Sequence, residues 1–447
     1  MKLKPYPEYK DSGVEWIGDI PVSWGIFKLK HVINEFISGG TPNSDNEKFW
    51  VQNEEDGVPW VAIGDMTNNE VVEDTKKKIT FDGLANKKLR ILKSGTLIYS
   101  IFASLGKVSL LGIDATTNQA ILGLITNEKI DGIFLKYYLR YLEKPIIALS
   151  NANTQNNLNS TIVKNIEFSL PNDYNDQIKI ASFLDKKTSE IDLTIEKDTR
   201  LIELLKEKRT ALINHVVTKG LDSTVKMKDS GVEWIGEIPE SWEIGRMGAD
   251  CTVKARLGWR GLKASEYVNE GYIFLSTPNI KNNEIDFENV NYITPERYFE
   301  SPEIMLDVGD VLLAKDGSTL GISNVVRYLP VPATVNSSIA VIKPKNGLNS
   351  VYLHYFISSA YMQNVIQKIK DGMGVPHLFQ ADIRKFTIFK PPIEEQYLIA
   401  SYIDQKTAEI GLLIQNVQNK INLLEEYKKS LIHHVVTGKM DVREVAV

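Results

Sequence analysis

The chain of 447 residues contains a single cysteine, Cys251. It can form no internal disulfide and has no partner thiols for a zinc site, so a packed small side chain is its expected role. No run of about 18 apolar residues occurs, which excludes a helical membrane span and a membrane partner. The opening stretch MKLKPYPEYKDSG lacks the apolar core of a secretory signal, so a cytoplasmic protein is expected. Catalytic signatures are equally scarce. There is no phosphate-cradling Walker loop, which argues against an ATP-driven motor. The only Gly-x-Gly pair, Gly372 and Gly374, follows no strand pattern, and no Asn-Pro-Pro-aromatic clamp for a target base is present. Carboxylate-lysine combinations such as Asp74-Thr75-Lys76 and Glu426-Tyr427-Lys428 are common by chance. His215, His433 and His434 fall in closing helical turns, where packing or compensation of the helix dipole is expected. A non-enzyme is therefore expected, without a cofactor or metal of its own.

No sign of charge dominates either. The formal charge is −5, but residues 25–170 carry 16 basic and 16 acidic side chains, residues 243–390 carry 16 and 15, and the rest carry 20 and 26. Acidity is concentrated outside those two stretches, which leaves them free to present local positive faces.

What the chain does have is repetition. Residues 10–24 read KDSGVEWIGDIPVSW and residues 228–242 read KDSGVEWIGEIPESW, differing only at Asp19/Glu237 and Val22/Glu240. QIKIASFLDKKTSEID (177–192) is echoed by QYLIASYIDQKTAEIG (396–411), and LINHVVT (212–218) by LIHHVVT (431–437). The offsets, 218 and 219, are nearly constant, so two complete units lie in tandem. A pseudo-twofold protein is expected, suited to a target that also has two halves.

The long repeated stretches carry a heptad rhythm. Ile180, Leu184, Thr188, Ile191, Ile195, Asp198, Ile202, Leu205, Arg209, Leu212 and Val216 follow at alternating spacings of four and three. Ile399, Ile403, Thr407, Ile410, Ile414, Val417, Ile421, Leu424, Lys428, Leu431 and Val435 repeat it in phase. Each stretch predicts a helix of roughly 40 residues, or about 60 Å. Mutual packing as a coiled coil is the economical way to bury both seams; separate packing on two domains is the alternative.

Between the repeats, short β-rich runs such as VPWVAI (58–63), GTLIYSIF (95–102), YIFLS (272–276) and DVLLAK (310–315) precede helical patches, which predicts one α+β domain per unit. Positive clusters lie within them. Lys76, Lys77, Lys78, Lys87, Lys88, Arg90 and Lys93 crowd one region of the first domain, and Lys254, Arg256, Arg260 and Lys263 surround Trp259 in the second. Such groups neutralise phosphates, and Arg beside Gly and Trp suits guanine edges, although a solvated face would carry lysines too. The run SNANTQNNLN (150–159) offers Asn153, Gln155 and Asn156, whose amides match adenine in the major groove; a plain polar loop would look the same. Its counterpart KDGMGVPHLFQ (370–380) contains His377, a candidate donor to phosphate or base.

The doubled SGVEWIGxIPxSW, GGTP (39–42), KPPIEEQ (390–396) and INHVVTKG (213–220) together resemble the specificity subunits of type I restriction-modification systems. In the first half the usual PPxxEQ is degenerate, LPNDYNDQ (170–177), though Gln177 keeps its place. The resemblance implies two inverted α+β target-recognition domains in a pseudo-twofold arrangement, separated by an antiparallel two-helix coiled coil. The implied divisions are lead segments at 1–24 and 225–242, recognition domains at 25–170 and 243–390, a central helix with linker at 171–224 and a C-terminal helix at 391–447. It also implies that each domain reads one half of a split site in double-stranded DNA while the helices act as a ruler. Two methyltransferase subunits would dock on the helices and two translocase-endonuclease subunits would join later. S-adenosylmethionine, ATP and Mg2+ would belong to those partners. A structural adaptor pairing two protein-binding domains is the competing expectation.

Overall fold

The computed structural model describes residues 4–51, 57–67, 69–102, 104–151, 158–233, 235–256, 262–281, 284–345, 347–370 and 377–445. The chain divides into two compact units, Met1–Asp198 with Asn419–Val447, and Thr199–Gln418. Two scaffold helices, Tyr174–Lys219 and Ile393–Val436, run 46 and 44 residues without an interior proline, and each contributes a part to each unit. No helix among the described residues is long and apolar enough to cross a membrane.

The heptad positions face inward. Leu184, Ile191, Ile202, Ile403, Ile410 and Ile421 are buried, and Ile195, Leu205, Ile414 and Leu424 half-buried. Each fully buried side chain of this size contributes about 1.5–3 kcal/mol. In the first unit Lys428 reaches Asp192 at 2.6 Å and Lys420 reaches Asp198 at 2.9 Å, so one helix index falls as the other rises and the helices run antiparallel. In the second unit Ile213, Val216 and Val217, near the end of one helix, share a core with Ile399, Ala400 and Ile403 near the start of the other, again antiparallel. Asp198 is a buried carboxylate in the seam where the second copy has Val417.

The repeated lead segments form matching hairpins, Tyr9–Asp11 with Asp19–Pro21 and Met227–Val232 with Gly236–Pro239. The Asp11 and Asp229 carboxylates accept from the Gly13 and Gly231 amides at 2.9 and 3.0 Å. The Lys10 and Lys228 ammonium groups donate to the Val22 and Glu240 carbonyls at 2.9 and 2.8 Å. Only the carbonyl is used at that last position, which explains why its side chain is free to differ. Trp24 and Trp242 are fully buried, and each meets the end of a scaffold helix. A Cβ added to Gly438, at φ +71°, would lie 2.5 Å from Pro21 and 3.5 Å from Trp24; one on Gly220, at φ +78°, would lie 3.4 Å from Trp242. Lead segment and helix end are therefore one structural joint within each unit.

Gly438→Ala combines left-handed backbone with a clash against a proline ring, and is expected to cost about 1–3 kcal/mol. Gly411→Ala, inside a helix with nothing within 4 Å, should instead stabilise by about 0.5–1 kcal/mol. Thermal melts of the two variants against the parent check both signs.

The two domains share a topology despite their divergent sequences. In the first, strands Ile33–Ser38, Ile121–Thr126, Leu97–Ser100, Val108–Leu111 and Val71–Val72 form one sheet in that order. In the second, Cys251–Lys254, Ile339–Pro344, Val311–Ala314 and Ser323–Val325 do the same. Beside each lies a three-stranded sheet containing a parallel pair, Val58–Val61 with Thr116–Thr117 and Tyr272–Leu275 with Ala333–Val335. A helix, Gly132–Asn151 or Ser350–Ser358, follows, and its buried aromatics join the core that the scaffold helix completes. Both domains are thus α+β, with the predicted β-rich runs at the centre of their sheets.

Candidate nucleic-acid interface

In both domains three loops are tied together by the same backbone bonds. The turn after the parallel pair begins with an asparagine: the Asn118 amide donates to the Val61 carbonyl (3.0 Å), and the Asn336 amide to the Leu275 carbonyl (2.8 Å). Each asparagine side chain then accepts from the amide two residues on, Ala120 at 3.0 Å and Ser338 at 3.1 Å, a local turn bond suited to Asn. The carbonyls of Ala120 and Ser338 in turn accept from the amides of Ile101 and Lys315, both at 2.8 Å. Finally Leu158 and Leu378 donate to the carbonyls of Ile101 and Lys315 at 3.1 and 2.9 Å. A turn, the loop leaving a central strand and the end of the long polar loop therefore meet at one knot, built twice from different side chains.

The tips at this knot are polar. Gln119 and Ser337 are exposed, and Thr41 hydrogen-bonds Gln119. Gly39 allows this approach, because a Cβ there would sit 2.1 Å from the Asn118 carbonyl oxygen. In the second domain the His377 imidazole contacts the Asp316 carboxylate, with Lys315 3.4 Å from the same side chain. Amides, hydroxyls and an imidazole on loops held by a rigid sheet are the donors and acceptors that base edges and phosphates require. Sequence patterns alone missed Gln119, Ser337, Thr41 and Asp316. The equivalence of TNQ (117–119) and VNS (335–337) was the available signal.

The predicted residues are distributed unevenly. Lys76 and Lys77 are exposed and Lys78 half-buried around the strand Lys78–Ile79, with the Lys77 ammonium 5.3 Å from the Trp50 ring. Lys87 and Lys88 are exposed at the turn after the helix Phe81–Asn86, which Thr80 caps. That turn lies beside the GGTP segment, since a Cβ on Gly40 would be 2.9 Å from Leu89 and 3.9 Å from Lys87. The lysine turn and the asparagine turn thus share one neighbour. Arg90 pairs with Glu35 and Lys93 with Asp114 (2.7 Å), so their charges are answered within the domain.

In the second domain Lys254 and Lys263 are exposed. Arg256 is only 8% exposed; its guanidinium lies 5.8 Å from the Phe274 ring, and burial pulls its pKa down. The charges of Glu300, Arg297, Glu303 and Glu266 lie within electrostatic reach of it. Trp259 and Arg260 lie outside the described residues, as do Asn153, Gln155 and Asn156, although Leu158, just beyond that run, is part of the knot.

If the exposed lysines answer phosphates, Lys76→Gln with Lys87→Gln should lower the slope of log affinity against log salt by about 2 in a DNA-binding titration. Arg90→Gln should leave the slope within about 0.5 of the parent, because its charge already faces Glu35.

Comparison with known proteins supplies the family. The pattern described as "Type I restriction modification DNA specificity domain" matches twice, at residues 21–205 and 239–423. The chain is 25% identical over 445 residues to the putative type I restriction enzyme MjaX specificity subunit of Methanocaldococcus jannaschii, covering 96% of each protein. It is 24% identical to the type I restriction enzyme MjaIX specificity subunit of the same organism, covering 100% of this chain and 99% of that one. Among solved structures, a chain from a type I R-M system aligns with a TM-score of 0.74 at 15% identity, over 94% of this chain and 99% of the other. The HsdS subunit from Thermoanaerobacter tengcongensis aligns with a TM-score of 0.57 at 16% identity, over 94% and 98%. The chain belongs to the type I restriction-modification DNA specificity family, of whose domain it carries two copies.

Proposed function

We propose that each domain, 25–170 and 243–390, reads one half of a bipartite site in double-stranded DNA, and that the scaffold helices set the unread spacer. The observation that carries this is the knot of three loops, identical in backbone bonding and different in side chains between the domains. One reading device with two sets of tips suits two different half-sites.

The scaffold has a second task, docking two methyltransferase subunits, with two translocase-endonuclease subunits joining them. S-adenosylmethionine, ATP and Mg2+ belong to those partners. What supports this is exposed apolar surface at repeated positions. The first unit exposes Ile178 (41%), Leu193 (51%) and Leu423 (65%); the second exposes their repeat equivalents Tyr397 (61%), Leu412 (64%) and Leu204 (46%). Equivalent apolar positions in both units suit two copies of one partner.

The test is to express the chain with its methyltransferase partner and map adenine methylation across a genome. A two-part motif with a fixed gap is expected. Methylation that ignores sequence, or a motif with one half only, would contradict the reading.

A further inference from the structure

The same carboxylate position on each scaffold helix holds the domain beside it. In the first unit the Tyr137 hydroxyl, from the domain helix, donates to Asp185 at 2.7 Å and lies 2.8 Å from the Thr188 hydroxyl. Lys136 adds an ion pair to Asp185 at 3.3 Å. In the second unit, at the equivalent position, the Tyr355 hydroxyl donates to Asp404 at 2.5 Å and is hydrogen-bonded to Thr407. Here the cation is Arg327, which forks onto Asp404 at 2.9 and 2.7 Å. Tyrosine, aspartate and threonine are repeated while the cation comes from a different place, so the latch is the retained feature. Burial, with the neighbouring carboxylate, pushes the Tyr355 phenol up to about 12 and that of Tyr137 higher still, which keeps both as donors.

A second pin lies eight residues earlier, about 12 Å along the helix. Gln177 and Gln396, both buried, each accept from a backbone amide of the domain and donate to two backbone carbonyls. Apolar packing is non-directional and tolerates small slides and rotations. Two directional pins on one helix define both the height and the rotation of the domain against it.

We propose that Asp185 and Asp404 are positioning residues for DNA recognition, holding each reading loop at a fixed height and angle on its helix and so sharpening the discrimination between spacer lengths. The proposal rests on the bipartite reading above. Loss of the latch leaves each domain folded and able to read its half-site, but lets the distance between reading tips vary.

The experiment uses the complex of the full chain with its methyltransferase subunits, and duplexes carrying the mapped site with the spacer unchanged or altered by one base pair. Asp404→Asn is expected to lower methylation of the cognate spacer about 10-fold and to narrow the cognate-to-altered ratio by a similar factor. Tyr355→Phe, which keeps the ring packing, should narrow the ratio about 3-fold. The double variant should fall short of the sum of the two single effects, because both weaken the Tyr355–Asp404 hydrogen bond while Asp404→Asn also removes the charge that Arg327 answers. A ratio unchanged in Tyr355→Phe, or rates that fall in parallel on all spacers, overturns the proposal; if Asp404→Asn yields no complex, the phenylalanine variant decides alone. A parent complex with no two-part motif would instead refute the bipartite reading.

Discussion

Ile410→Asp is expected to lower the stability of the second unit by about 4 kcal/mol, through lost apolar burial and a carboxylate forced into the helix seam. Ile410 is 6% exposed at a heptad position, so the new charge has no route to water without parting the helices. A thermal melt and co-purification of the methyltransferase subunit should both show the loss. Leu412→Asp separates the seam from the proposed docking face of the same helix. Leu412 is 64% exposed, so its replacement should move the melt by less than about 0.5 kcal/mol while abolishing co-purification. If both variants melt alike, the seam is misplaced; if Leu412→Asp still brings down the partner, the docking face lies elsewhere.

The legibility of this chain followed the range of the interactions concerned. The seam could be read because a coiled coil writes its contacts into one periodic pattern, and the rhythm tolerates Asp198, Arg209 and Lys428 without losing phase. The sheets were legible as β-rich runs. Their order was not, because the pairing of Leu97–Ser100 with Ile121–Thr126 depends on partners distant in sequence. Charge misled in one particular way. Arg90 and Arg256 look alike in a string of letters, yet Arg90 is an exposed cation paired with Glu35 of the strand Ile33–Ser38, whereas Arg256 is buried against Phe274. The knot was invisible for the opposite reason. Its bonds are between backbone groups, so Asn118 and Asn336 are its only side-chain trace. Thr188 and Thr407 keep the seam's rhythm, and their hydrogen bonds to the Tyr137 and Tyr355 hydroxyls give those positions a polar task as well.

Gln396→Ala is expected to cost about 3 kcal/mol, although it removes no charge and little apolar surface. The side chain is fully buried; its carbonyl accepts from the Asn349 amide (2.8 Å), and its amide donates to the carbonyls of Gly347 (2.9 Å) and Pro391 (2.8 Å). Alanine takes the partner from three backbone groups at once. Gln396→Glu should be no milder, since a carboxylate can accept from Asn349 but cannot donate to either carbonyl. A melt gives the magnitude, and hydrogen exchange at the Asn349 amide localises it; an amide as protected in the variants as in the parent would remove the clamp from the account. Gln177 makes the same three bonds, to the Asp131 amide and the carbonyls of Lys129 and Pro171, although the sequence before it has drifted to LPNDYNDQ. The geometry asks for one glutamine and a carbonyl at the right height, and it places no demand on the prolines or glutamate that usually precede it. Gln177→Ala should therefore cost as much in the first unit as Gln396→Ala does in the second, and equal losses at the intact and the degenerate motif would show that the glutamine alone carries the clamp.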